Sequence, residues 1–219
     1  MATVAPGPRP MPIPAVARPR TKPAETRQEE LMDAAQALFL SQGVEATTIS
    51  DIVAAADVAK GTFYTYFASR TEILQALAQR YTQRFMAEVD QAVQQHPVHD
   101  GVARLRAWIR ANIEIYVRTH ALHDVVYPNH HHHQRGNAER NAIQQQLLGI
   151  LEAGVQAGLW QLPAPQVTAS LIYAGVHGAT DDLIAVPSQD AEVFIAAVVA
   201  DCLRMVGVSP APKRGGTRR

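Results

Sequence analysis

The stretch TTISDIVAAADVAKGTFYTYFASRTEIL, Thr47–Leu74, contains two short apolar-patterned segments separated by a tight turn. Thr48 with Asp51 three residues later is a capping-box pattern, which predicts that a helix begins here. A second short helix is predicted over about residues 59–67. Val58, in the turn between them, is the apolar residue expected to point inward where two short helices meet at a steep angle. The stretch therefore predicts a helix-turn-helix unit.

The outer face of the second short helix is left with polar side chains once its phenylalanines pack inward. Lysine supplies charge for phosphate or guanine, threonine supplies a hydroxyl and a methyl, and tyrosine hydroxyls reach phosphate oxygens. Gly61 lets the backbone approach a groove closely. Thr48 lies at a helix N-terminus, which favours a phosphate, and Arg70 is placed for another in the first turn of the next helix. The predicted DNA-binding residues are Thr48, Lys60, Gly61, Thr62, Tyr64, Thr65, Tyr66 and Arg70.

Residues 26–74 resemble the DNA-binding domain of TetR-type transcriptional regulators, through the capped first helix, the Lys-Gly-Thr run and the aromatic pair that follows it. The chain departs mildly from that family's pattern. Asp57 replaces the usual turn glycine, Ala59 a serine, Tyr66 a histidine and Arg70 a lysine. The alternative is an ordinary packed helical hairpin, in which Tyr64 and Tyr66 would belong to the core.

Most of the remaining chain also has helical periodicity, with no sustained alternation of the kind strands show. The predicted fold is all-α, with an N-terminal three-helix helix-turn-helix domain and a larger C-terminal helical domain for ligand binding and dimerisation. The predicted helices span about residues 25–41, 48–55, 59–67, 69–95, 102–119, 122–127, 137–157, 165–185 and 188–206. The predicted domains are a disordered basic Pro/Ala-rich arm (1–23), a DNA-binding domain (24–70), an effector-binding and dimerisation domain (71–208) and a disordered basic tail (209–219).

The zero net charge of the 219 residues conceals two basic ends. Residues 1–27 have a net charge of +4 and the last ten residues another +4, which leaves −8 for the body. Basic ends on an acidic body fit a protein that touches nucleic acid only locally, and equally fit tails that aid solubility. Whether the arm contacts DNA stays open. No apolar run approaches a membrane span and the N-terminus has no signal-like segment, so a cytoplasmic location is expected. The single cysteine, Cys202, excludes a disulfide within the chain.

The resemblance implies a homodimer formed by the last two helices, about 165–185 and 188–206, in a four-helix bundle. Such a dimer would bind a double-stranded, near-palindromic operator. The implied function is sequence-specific transcription regulation, most commonly by a repressor that a small organic effector of unknown identity releases from DNA. No enzymatic activity and no required cofactor are expected, and repressor and activator remain alternatives. The residues predicted for an effector pocket are Trp108, Tyr116, His120, His123, Tyr127, Tyr173 and His177.

Nine histidines, four of them consecutive at His130–His133, leave a second function open. His120 and His123 can share one helix face, and with His177 they could bind zinc, nickel or copper. This hypothesis is a metal-binding helical protein or a metal-responsive regulator. The simpler interpretation is a solvated histidine loop and hydrogen-bonded helical histidines. A non-specific architectural DNA-binding protein is a third alternative.

Overall fold

The computed structural model describes residues 24–127, 138–186 and 188–208. Within these ranges the secondary structure is entirely helical, which confirms the predicted fold class. The basic arm, the basic tail and His130–His133 lie outside the described residues. The helices are α1 (Ala24–Gln42), α2 (Ile49–Ala55), α3 (Lys60–Tyr66), α4 (Arg70–Gln94), α5 (Gly101–Val126), α6 (Ala138–Gln156), α7 (Pro165–Ala185) and α8 (Ala191–Met205).

The helix starts follow local capping chemistry. The Thr48 hydroxyl accepts a hydrogen bond from the Asp51 backbone N–H, and the Asp51 carboxylate accepts one from the Thr48 N–H, so the predicted capping box is confirmed. The Ser69 hydroxyl caps α4 by accepting from the Glu72 N–H. The Glu72 carboxylate accepts a hydrogen bond from the Ala68 N–H at 2.5 Å, and not from the Ser69 N–H as in a complete capping box. Each cap satisfies backbone donors that the first helical turn leaves unpaired.

The predicted break between residues 119 and 122 is wrong, because α5 is one continuous helix across it. No glycine or proline interrupts residues 119–122, and the Thr119 hydroxyl donates to the Ile115 carbonyl at 2.7 Å within the helix. Tyr116 and His123, on either side of the predicted break, are both buried. Packing on both sides therefore holds as helix a segment whose sequence pattern alone was ambiguous.

Helix α5 lies at the centre of the larger unit. It packs along α4 and also contacts α1, α6, α7 and α8. Trp108, Ile109 and Ile113 of α5 are essentially inaccessible to solvent. The N-terminal unit joins this body through α1, which packs against α2, α4 and α5.

Arg80 of α4 holds α1 in place. Its side chain is 8% exposed and donates to Glu29 at 2.7 Å, Asp33 at 2.8 Å and Gln36 at 2.9 Å. A buried guanidinium costs little only when its donors are satisfied, and three partners on one face of α1 satisfy it. Arg80 therefore links α4 to α1 through three side-chain hydrogen bonds.

Candidate DNA-binding surface and effector-domain residues

The α2–α3 unit packs around Phe63, which is fully buried, and Phe67, which is 3% exposed. Val58 in the turn is half-buried against the same core, as predicted. This inward anchoring sets the rotation of α3, and so determines which of its side chains face solvent.

Asp57 occupies the left-handed backbone region, with φ of 52°. Around it the Val58 N–H donates to the Val53 carbonyl at 3.0 Å and the Asp57 N–H to the Ala54 carbonyl at 3.2 Å. This is the position where the resemblance expects glycine. Aspartate tolerates the left-handed region better than most side chains, at some cost relative to glycine. The departure at Asp57 therefore preserves the turn.

The solvent-facing side of α3 carries the predicted polar residues. Lys60, Gly61, Tyr64 and Thr65 are exposed, and Tyr64 keeps 51% of its surface accessible although it is a large aromatic residue. The helix contains no acidic residue. A positive charge, two hydroxyls and a bare stretch of backbone therefore lie on one short helix.

The other aromatic residue of α3 is placed differently. Tyr66 is half-buried and packs against the core, and Thr62 is half-buried too. The packed-hairpin alternative thus fails for Tyr64 and holds partly for Tyr66. Any DNA contact by Tyr66 would come from the edge of the ring that remains exposed.

Gly61 has no packing reason to be glycine. A Cβ added there would meet nothing within 4 Å, and its φ is not in the left-handed region. Glycine in a helix costs about 1 kcal/mol relative to alanine. Nothing in residues 24–127, 138–186 and 188–208 offsets this cost, which fits a site where another molecule approaches the backbone closely.

Two flanking predicted residues already serve the fold. The Thr48 hydroxyl donates to the Asp51 carboxylate at 2.7 Å, and hydrogen bonds from the Thr48 backbone and hydroxyl lower the Asp51 pKa below its usual value. Arg70 donates to the Glu45 and Thr47 carbonyls and to the Glu45 carboxylate, each at 3.0 Å. Arg70 therefore fastens α4 to the loop before α2. Phosphate contacts by Thr48 and Arg70 stay predictions.

Comparison with known proteins identifies this unit. The family model for bacterial regulatory proteins of the tetR family matches residues 31–77, which run from α1 through α2 and α3 into α4. This helix-turn-helix unit therefore belongs to the TetR family. Among curated relatives of this TetR-family protein, the transcriptional repressor KstR2 of Mycobacterium tuberculosis H37Rv is 25% identical over 162 residues, 71% of this chain and 78% of that protein. The transcriptional activator FasR of Mycolicibacterium smegmatis is 32% identical over 89 residues, 41% of this chain and 40% of that protein.

Solved structures show the same fold. A protein of unknown function from Rhodococcus sp. RHA1 has a TM-score of 0.71 at 20% identity, over 83% of this chain and 96% of that one. SmeT in complex with triclosan has a TM-score of 0.62 at 21% identity, over 85% of this chain and 98% of that one. The match of the DNA-binding unit and the curated relatives make this chain a DNA-binding transcriptional regulator, a class of protein without enzymatic activity.

Five of the residues predicted for the effector pocket form one aromatic row in the helical domain. Tyr127, His123, Tyr116, His177 and Tyr173 follow one another with ring-centroid separations of 5.4, 4.9, 5.0 and 5.4 Å. The row joins α5 to α7. The structure therefore brings these five residues together.

The row leaves little room for a ligand in this conformation. The void beside Tyr116, Tyr173 and His177 has a volume of about 20 Å³, enough for a single water molecule. Burial, with the nearby Asp181 and Asp124 carboxylates, raises the pKa of the Tyr116 hydroxyl well above its usual value, so it stays protonated. These rings now pack mainly against one another, and an effector site among them stays a prediction.

The other two predicted pocket residues lie apart from the row. His120 is half-buried and its Nδ1 lies 2.9 Å from the Val117 carbonyl, a contact within α5. Trp108 is 1% exposed and forms a wall between the small void and a second cavity of about 280 Å³. The residues across that second cavity, above all Gln146, were not predicted, because a run of glutamines is typical of a solvated helix face.

The metal hypothesis gains no support from the described parts of the chain. No group of three or more His, Cys, Asp or Glu side chains in residues 24–127, 138–186 and 188–208 is arranged to hold an ion. His130–His133 lie outside those ranges, so their role stays a prediction. None of the described helices is both long enough and apolar enough to cross a bilayer.

Proposed function

We propose that this TetR-family protein is a homodimeric repressor that binds a near-palindromic operator through α3 and leaves it when a small organic effector binds the helical domain. Residues 24–70 form the DNA-binding domain and residues 71–208 the effector and dimerisation domain in this proposal. The observation that carries it is the exposed face of α3. Repression is favoured over activation because the repressor KstR2 aligns over 71% of the chain and the activator FasR over 41%.

On DNA, α3 would lie in the major groove. Lys60 would contact a phosphate or a guanine, and Tyr64 a phosphate oxygen through its hydroxyl. Thr65 and Thr62 offer hydroxyl and methyl groups to base edges. Gly61 would let the α3 backbone come close to the groove wall. Tyr66, Thr48 and Arg70 would contact the flanking backbone.

The dimer interface would be formed by the outward faces of α7 and α8. Val167 and Leu171 of α7 and Val193 of α8 are 58%, 57% and 67% exposed, which is unusual for large apolar residues clustered on two adjacent helices. Gly175 and Gly178 of α7 have nothing within 4 Å of an added Cβ. Glycines without an internal neighbour fit close approach by a partner helix.

One apolar face of α8 is used inside the chain itself. Ile195, Val199, Cys202 and Leu203 are 3–5% exposed, and burial raises the pKa of the Cys202 thiol to about 11. The partner subunit would therefore meet the exposed side of α8 and the glycine face of α7. The two α3 helices of such a dimer would lie about one DNA turn apart, roughly 34–36 Å.

Effector control would act through α4. This helix carries Arg70 and Arg80, which fasten it to the N-terminal unit, and its far half lines the interior of the helical domain. An effector that binds more tightly to a conformation in which the two α3 helices no longer match the spacing of the DNA grooves shifts the dimer off DNA. Nearly complete release requires differential binding of about 5 kcal/mol. SmeT, which shares the fold, is solved with the small organic molecule triclosan. This regulator would act on DNA in the cytoplasm.

The test is fluorescence anisotropy with DNA from upstream of the protein's own gene, against scrambled DNA of equal length, across a salt series. Preference of about a thousandfold, with steep salt dependence, is expected for a specific regulator. Equal affinity for both, repeated with DNA selected from a random pool, would contradict the proposal. Analytical ultracentrifugation of the free protein tests the dimer, with Gly178→Leu expected to favour the monomer.

A further inference from the structure

Two exposed rows of residues run along α3, and they differ in the length of their side chains. Residues four apart in a helix lie nearly above one another on one face. Lys60 and Tyr64 form a row of long side chains, and Gly61 and Thr65 form a row of short ones. We call the Gly61–Thr65 row the crest of α3.

The crest faces away from the core of the helix-turn-helix unit. Phe63, the fully buried anchor of α3, lies midway between Gly61 and Thr65 in the sequence. At about 100° per residue, a residue two positions before or after Phe63 points about 160° away from it. The crest is therefore the face of α3 that would enter a DNA groove first.

The space along the crest is open. The Tyr64 ring packs edge-on against the buried Phe63 ring, with 5.5 Å between the centroids and 84° between the planes, and this contact holds it at the side of the helix. A Cβ added at Gly61 would have no described atom within 4 Å. A hollow therefore lies beside Thr65, where the edge of a base can come close to the helix.

The hydroxyl proton of Thr65 is already used within α3. Thr65 Oγ1 donates to the Gly61 carbonyl at 3.2 Å, one turn earlier in the helix. Threonine in a helix favours orientations that allow such a bond. A hydroxyl has a single proton, so in this orientation Thr65 has none to donate to a base. The γ-methyl, the other branch of the same side chain, is then the group that Thr65 offers to DNA.

The major groove contains one apolar group that matches this methyl. Base edges there carry acceptors, amine donors and the C5 methyl of thymine. The acceptors require the proton that Thr65 has given to Gly61. A contact between two methyl groups removes apolar surface from water and needs no donor. An adenine or cytosine amine, which would donate to the Thr65 oxygen, is the alternative partner.

We propose that Thr65 selects thymine at one position of each operator half-site, by packing its γ-methyl against the thymine C5 methyl in the hollow beside Gly61. This assignment rests on the proposed function, because it requires α3 to lie in the major groove. Base contacts specify a sequence, whereas phosphate contacts position the protein. Thr65 therefore contributes to the choice of sequence and not to general affinity for DNA.

Deoxyuridine tests the methyl contact, because it pairs as thymidine does and lacks only the C5 methyl. Each thymine of the operator is replaced in turn, at the symmetric positions of both half-sites, and binding is measured by fluorescence anisotropy. At least one replacement is expected to weaken wild-type binding about tenfold, because a dimer loses the contact twice. The loss should be equal across a salt series, since no phosphate contact changes. An operator without any such thymine would overturn the proposal.

Variants identify the side chain that makes the contact. Thr65→Ser keeps the hydroxyl and removes the methyl, so it should bind the thymine and deoxyuridine operators equally at that position. Thr65→Val keeps a γ-methyl and removes the hydroxyl, so it should retain the preference of about tenfold. Thr62→Ser, the same change on the half-buried side of α3, is the matched control and should also retain it.

Two results with these variants would overturn the proposal. A preference lost in Thr65→Val and kept in Thr65→Ser would show that the hydroxyl makes the contact. A preference unchanged in both would show that another residue recognises the methyl. Thermal denaturation of each variant verifies that the fold is kept, as expected for an exposed position.

The affinity for scrambled DNA, measured on the same samples, separates this proposal from the proposed function. A protein that prefers its operator but binds the deoxyuridine operators equally well contradicts the assignment of Thr65 alone. A protein that prefers no sequence contradicts both, because it then recognises no thymine.

Discussion

Glycine and aromatic residues have opposite roles in helix α3 and in the packed pair of helices α5 and α6, here called the α5–α6 layer. In α3 the side chains of Lys60, Tyr64 and Thr65 face solvent. Gly61 also faces solvent, and nothing in the described chain packs against it. In the α5–α6 layer Trp108 is buried, and the Trp160 indole occupies the space beside Gly154 where a side chain would otherwise lie. The difference teaches that a glycine or an aromatic residue reports the chain's own packing in one region and an external partner in the other.

The sharpest test of this comparison is the pair Lys60→Ala and Tyr64→Ala. Both side chains are exposed, so the free energy of unfolding should change by less than about 0.5 kcal/mol. Operator affinity should fall about a hundredfold or more in each variant, because a dimer loses the contact twice. Anisotropy and thermal denaturation measure the two effects. Leu40→Ala, another exposed residue of the same unit, is the control, and unchanged operator affinity in both test variants would contradict the role of α3.

The α5–α6 layer should behave in the opposite way. Gly154→Ala places a Cβ against the Trp160 indole and is expected to lower the free energy of unfolding by about 2–3 kcal/mol. Gly149→Ala, in the same helix but with no described atom within 4 Å of an added Cβ, should raise it by about 1 kcal/mol through helix propensity. Urea denaturation measures both. A change of the same sign in the two variants would show that the surroundings of these glycines do not differ as described.

Gly61→Ala combines the two behaviours in one residue. The added methyl meets nothing in the described part of the chain, so the free energy of unfolding should rise by about 0.5–1 kcal/mol. Operator affinity should nevertheless fall about tenfold, because the methyl would stand between α3 and the DNA. An affinity equal to that of wild type would mean that the backbone at Gly61 does not approach the groove.

Asp57→Gly separates the turn from the surface that it positions. Glycine adopts a φ of 52° without the cost that aspartate carries, so stability should rise by about 0.5 kcal/mol. Operator affinity should not change, because Asp57 only shapes the turn. Urea denaturation and anisotropy provide the two measurements, and a loss of stability would show that the Asp57 side chain contributes more than its backbone costs.

The stability of the helix-turn-helix unit at acid pH depends on the cap of α2. Hydrogen bonds from Thr48 lower the pKa of Asp51 below its ordinary value of 3.8. At pH values above 3.8 the ionised carboxylate therefore stabilises the folded state. That contribution is lost as the pH falls below this value towards the lowered pKa of the folded state. Melting temperatures of wild type and Asp51→Asn across the acid range measure it. Parallel curves would show that the cap does not titrate with folding.

The spacing of apolar and capping residues along the sequence predicted most of the helices and the whole helix-turn-helix unit. The cap at Thr48, the inward Val58 and the proline that begins α7 act over one to four residues, so their effect can be read without the rest of the chain. The continuity of α5 could not be read in this way, because burial of Tyr116 and His123 by other helices decides it. The same limit applies to Tyr64 and Tyr66, whose different exposure follows from how α3 is rotated against its core.

The sequence by itself determined the family, the all-helical fold and the composition of the DNA-facing helix, because all three are encoded in short-range periodicity and in one long motif. Only the tertiary structure decided that Arg80 links α4 to α1, that five predicted pocket residues pack into a row, and that Trp108 and Gln146 border a separate cavity. These arrangements join residues that are far apart along the chain, such as Tyr116 and His177, 61 positions apart. Their physical cause is the packing of α5 against five other helices, which no local pattern contains.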